Sequence, residues 1–84
     1  MEEINPFTID ENTKPSYETD VAKWYLIKKG DNFALWRWDN KKDTRDRRFL
    51  LTDIKSDEIV RDSYNLTDAL TKLDFFEAAF KDDK

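Results

Sequence analysis

The sequence predicts an α+β fold: a small antiparallel β-meander of three or four strands, packed on one face by a C-terminal α-helix and preceded by an extended or disordered acidic arm. Three observations predict it. Two runs rich in aromatic and β-branched residues, 21–29 (VAKWYLIKK) and 33–39 (FALWRWD), flank Gly30-Asp31, a hairpin signal. Residues 66–80 (LTDALTKLDFFEAAF) repeat apolar side chains at helical spacing. Both prolines, Pro6 and Pro15, fall among six acids in residues 1–20, where no periodicity is sustained. The division expected is therefore an arm over 1–20, one domain over 21–81 and a solvent tail over 82–84.

The arm carries Ile4, Phe7, Ile9 and Tyr17, which can cover part of the folded body or dock elsewhere. Asn5-Pro6-Phe7 matches a tripeptide read by endocytic adaptor domains, but three residues recur by chance. The hairpin follows, with Gly30 at the first central position of a type II′ turn. Residues 39–47 (DNKKDTRDR) form a polar connection and 48–54 (RFLLTDI) a third strand. After a turn at 55–58, residues 59–64 (IVRDSY) read as a fourth strand in preference to a short helix capped by Ser56. In the final helix Asn65 or Thr67 is the N-cap and Asp68 suits the positive end of the dipole. Leu66, Ala69, Leu70, Leu73, Phe76 and Phe80 fall on one stripe, and Phe75 lies almost opposite.

Strand alternation assigns the hairpin faces. A two-residue turn puts Trp24, Leu26, Phe33, Leu35 and Arg37 on one face, and Lys23, Tyr25, Ile27, Ala34, Trp36 and Trp38 on the other. Both are apolar, and one helix covers one face. We expect the helix over Leu26, Phe33 and Leu35, leaving Tyr25, Trp36 and Trp38 accessible, because Trp and Tyr tolerate a half-wet site. A three-residue loop, Gly30-Asp31-Asn32, instead gathers Trp24, Leu26, Trp36 and Trp38 on one face, as core, with Tyr25, Ile27, Leu35 and Arg37 behind. The uncovered face needs the arm, a second copy of the chain or a partner.

Composition removes most chemistry. Without cysteine or histidine there is no disulfide, no thiolate and none of the usual zinc constellations. Ser16, Ser56 and Ser63 have no imidazole to activate them, and a single glycine excludes a phosphate-cradling loop. The pairs Asp57/Glu58 and Asp82/Asp83 sit in a turn and a tail, and Asp39, Asp43 and Asp46 lack calcium-loop spacing. The expectation is a non-enzyme with no catalytic residue, metal or small-molecule cofactor. An acidic start and the lack of a long apolar run lead us to expect a cytoplasmic chain that does not cross a membrane.

Charge is unevenly placed within the net −4. Residues 1–20 hold one lysine against six acids, 21–48 nine Lys or Arg against four, and 49–84 five against nine. A basic centre between acidic flanks leaves three readings. The favoured one is a protein-binding accessory or inhibitor protein presenting Tyr25, Trp36, Arg37, Trp38 and Phe75, residue types enriched in interface cores. In size, acidic balance and layout it resembles small inhibitors and host-takeover proteins encoded by bacteriophages and mobile elements, without a shared motif. The second is a single-stranded nucleic-acid binder that stacks bases on Trp and Tyr while Lys23, Lys28, Lys29, Arg37, Lys41, Lys42, Arg45, Arg47 and Arg48 meet phosphates. The third is a homodimer that buries the second sheet face.

Overall fold

The computed structural model describes residues 1–82 and shows an α+β domain in which one C-terminal helix packs on a five-stranded antiparallel sheet. The strands are β1 (Tyr17–Glu18), β2 (Ala22–Lys29), β3 (Phe33–Asn40), β4 (Arg47–Asp53) and β5 (Ile59–Ser63), in sequential spatial order, followed by α1 (Leu66–Asp82). The count exceeds the expected three or four because β1, too short to show a periodicity, lies inside the segment read as an arm. The region 59–63 is a strand, as expected in preference to a helix. Of the expected tail, residue 82 ends the helix, and 83–84 lie outside the described residues.

Away from the turn the hairpin has the register that the three-residue loop assigns, although beside the turn Lys29 pairs with Ala34 and Lys28 with Leu35. Trp24 lies opposite Trp38, Tyr25 opposite Arg37 and Leu26 opposite Trp36, and a bulge at Ile27 shifts the register before the loop. Gly30 has no positive φ, so the type II′ turn is not formed. Its smallness serves another purpose: a β-carbon there would lie 2.0 Å from Glu77 Oε2. That carboxylate reaches from α1 to accept the Asn32 amide N–H at 2.9 Å, the Asn32 Nδ2 at 3.0 Å and the Phe33 amide N–H at 3.3 Å. Burial raises the Glu77 pKa, but these bonds and one from the Asp31 backbone outweigh it and hold the group below its ordinary value.

The core lies between the sheet and α1. Tyr25, Ile27, Phe33, Leu35 and Leu51 meet Ala69 and Leu73, with Phe49, Val60, Leu66, Leu70 and Phe76 at its margin. The helix stripe is thus the expected one, although Phe80 at its end stays partly exposed and packs edge-on against Phe33. Asn65 caps the helix, its Oδ1 accepting the Asp68 amide N–H at 3.1 Å.

The N-terminal segment is laid against the body, not left as a free arm. Its Ile4 amide donates to the Leu26 carbonyl (2.7 Å), its Ser16 Oγ accepts from the Leu26 amide (2.9 Å) and its Glu3 carboxylate accepts from the Lys29 amide (2.8 Å). These bonds satisfy the outer edge of β2 beyond the reach of β1. Ile4 and Ile9 also pack against the helix-side core. At the opposite edge, Arg61 Nη1 donates to the Val60 carbonyl (2.6 Å) and Lys72 Nζ to the Asp62 carbonyl (3.0 Å), so cations occupy carbonyls of β5. No helix is long and apolar enough to cross a membrane among the described residues.

Candidate functional site

Register and alternation place Trp24, Leu26, Ala34, Trp36, Trp38, Arg48, Leu50 and Thr52 on the sheet face away from α1. Leu26, Ala34 and Leu50 are buried there beside the three tryptophans, which are themselves half-buried. One transverse row crosses the whole sheet. Tyr17 is opposite Trp24, Trp24 opposite Trp38 and Trp38 opposite Arg48, and Tyr64, just past β5, lies beside Arg48. Adjacent strands are about 4.8 Å apart, so the row is about 19 Å long. Its two ends are open: Tyr17 is 57% and Tyr64 73% exposed.

The rings are tilted against one another. Tyr17 and Trp24 have centroids 6.5 Å apart with planes at 59°, and Trp24 and Trp36 5.9 Å apart at 85°. Such edge-to-face packing suits the ring quadrupoles and makes a corrugated surface. The Arg48 guanidinium lies over both Trp38 (5.2 Å) and Tyr64 (5.3 Å) and is tied to Asp46 at 2.7 Å, while its Nε is buried without a hydrogen-bond partner among the described residues. Trp36 Nε1 donates to Thr52 Oγ1 at 3.0 Å. Between Met1, Tyr17, Trp24, Trp36, Thr52 and Asp57 runs a groove of about 470 Å3.

The expected binding residues are not brought together. Trp36 and Trp38 belong to this face, but Tyr25 (3% exposed) and Arg37 (7%) are buried on the other side, which corrects the expectation of an accessible Tyr25. The reason is the register that the loop and the bulge at Ile27 set together, which inverts the partners that a two-residue turn assigns. Arg37 makes a two-pronged bond to Asp39, both contacts at 2.9 Å, and lies over the Tyr25 ring. Burial, with the Asp39 charge behind it, pushes the Tyr25 phenol up. Phe75 is 68% exposed, as its position off the stripe implies, but on the outer side of α1 and away from the tryptophans.

The cations proposed for phosphate contact are largely paired. Lys41 bonds Glu18, Arg45 bonds Asp43, Arg47 reaches Asp39 at 3.5 Å and Arg48 is held by Asp46 and Asp62. Lys23, Lys28, Lys29 and Lys42 make no salt bridge among the described residues. Tyr17, Trp24, Tyr64 and Asp57 were missed as site residues. Trp24 was legible from the three-residue register, whereas Tyr17 sits in a segment without periodicity. No group of three or more metal-ligating side chains occurs among the described residues. No family model, curated protein or solved structure matches the chain.

Proposed function

We propose that this protein is a non-enzymatic accessory or inhibitor protein that takes a protein partner onto the sheet face opposite α1. The row Tyr17–Trp24–Trp38–Arg48–Tyr64 supports the reading. It joins the residue types that dominate interface hot spots, on a surface that the helix leaves open. The tilt of the rings favours protein over nucleic acid. Successive bases stack on ring faces that lie open to the strand, whereas here Trp24 meets Trp36 edge-on and Arg48 already occupies a face of Trp38 and of Tyr64. Pairing of Lys41, Arg45, Arg47 and Arg48 with carboxylates also weakens the field available to phosphates.

The test uses the two exposed ends of the row. Tyr17→Ala combined with Tyr64→Ala should keep the melting temperature and lose capture of a stoichiometric protein from source-cell lysate, while Phe75→Asp should keep both. Capture that survives the double variant contradicts the reading. So does a saturable, steeply salt-dependent change in tryptophan emission with a mixed-sequence single-stranded oligonucleotide.

A further inference from the structure

We infer that the cleft floored by Tyr25 and Arg37, on the helix side of the sheet, binds the carboxylate group of a small organic acid. This site lies behind the tryptophan face and goes beyond the reading given for that face. Alternation puts Lys23, Tyr25, Arg37, Asp39 and Arg47 on one side of the sheet. Residues 9–11 of the N-terminal segment and the loop after β3 close around them, and no residue of α1 lines the cleft. Its volume is about 600 Å3, the scale of a small-molecule site.

The floor offers hydrogen-bond donors that no protein acceptor uses. Tyr25 is 3% exposed, and its hydroxyl makes no hydrogen bond among the described residues; the oxygen is not sealed from solvent, so it opens into the cleft. Arg37 is 7% exposed and donates from Nε and Nη2 to Asp39, both at 2.9 Å, while Nη1 is open in the same way. Asp39 thus fixes the guanidinium by one edge and leaves the Nη1/Nη2 edge for a second carboxylate. Burial first, and the Asp39 charge second, push the Tyr25 phenol up, so it keeps the proton that it would donate.

Charge sets the sign of the ligand. The acids at the floor are engaged already: Asp39 faces both Arg37 and Arg47, and Glu18 is bonded to Lys41. Asp10 accepts from the Asn12 amide N–H at 2.8 Å and the Thr13 hydroxyl at 3.2 Å, and Glu11 is exposed to water. Lys23, directly across the ladder from Asp39, makes no salt bridge among the described residues. The groups left unmatched at the floor are donors and a cation, which select an anionic acceptor. Four Lys or Arg and four acids line the cleft, so it has no net charge with which to hold a dianion such as a phosphate, and a singly charged carboxylate fits it better.

Two-dimensional proton–nitrogen NMR tests the site, following the Arg37 Nε–H and the amides of Lys23, Tyr25 and Asp39 during titration with benzoate, phenyl phosphate or benzylamine at neutral pH and constant ionic strength. The expected result is a saturable shift with benzoate, binding about threefold weaker with phenyl phosphate, and no saturable shift with benzylamine. Tyr25→Phe removes only the unpartnered hydroxyl, so it should keep the melting temperature and weaken benzoate about tenfold. Lys23→Gln should weaken it about threefold, and this variant decides if Tyr25→Phe melts lower. Silence with benzoate, equal or tighter binding of phenyl phosphate or benzylamine, or an unchanged affinity in the deciding variant overturns the inference. Shifts confined to the tryptophan indoles also overturn it, by seating the acid on the opposite face.

Discussion

Gly30 and Glu77 meet across the hairpin loop so closely that a β-carbon on the glycine would stand 2.0 Å from Glu77 Oε2. The loop tip and the helix are therefore one unit: the glycine vacates the space in which the carboxylate collects its hydrogen bonds from Asn32 and Phe33. Gly30→Ala should displace the carboxylate and cost about 1–2 kcal/mol, close to the cost of Glu77→Ala. Because both lose the same contacts, the double variant should be little worse than either single one, with a coupling of about 1 kcal/mol in denaturant melts. Additive losses would contradict the shared contact.

The same carboxylate gives an acid dependence. Its folded-state pKa is lowered from the ordinary 4.5, so its contribution is complete above that value and is lost as the pH falls through the depressed one. Wild type should progressively lose its stability advantage over Glu77→Gln as the pH falls below the ordinary 4.5. A difference in melting temperature that stays constant as the pH falls would mean that Glu77 is not held as a charge.

The N-terminal segment should be structural. Deleting residues 1–16 removes Ile4 and Ile9 from the core margin and the bonds to Leu26 and Lys29. The expected cost is about 2–3 kcal/mol, a fall in melting temperature on the order of 10 °C by calorimetry. An unchanged melting temperature would show that the segment lies free in solution.

On the helix, phase decides the outcome. Leu73 is 2% exposed between the sheet and α1, so Leu73→Asp should cost about 4 kcal/mol or more and leave the chain unfolded by circular dichroism. Phe75→Asp, one turn-face away, should stay within about 0.5 kcal/mol of wild type. Reversed outcomes would place the helix a half-turn out of phase.

Patterns with a long period were legible in the sequence, and local geometry was not. The stripe through Ala69, Leu73 and Phe76 is visible because a helix repeats it over several turns. The faces of the hairpin depend on one loop residue and the bulge at Ile27, and a one-residue slip exchanges Tyr25 with Trp24. The excess of apolar side chains on the sheet was countable from composition, and a face left open by one helix followed from it. Which aromatics form that face did not. Tyr17 and Tyr64 lie at the ends of the row, outside any periodic run, and Glu77 looks like an ordinary solvated acid on an amphipathic helix.

The most direct test of the binding face is site-specific photo-cross-linking in source cells, with the photoreactive side chain at position 17 in one variant and at position 75 in another. Both positions are exposed, but only Tyr17 belongs to the aromatic row. The account predicts one defined protein adduct from position 17 and none from position 75. Adducts from position 75 alone, or from position 17 only to nucleic acid or to a second copy of the chain, would contradict it.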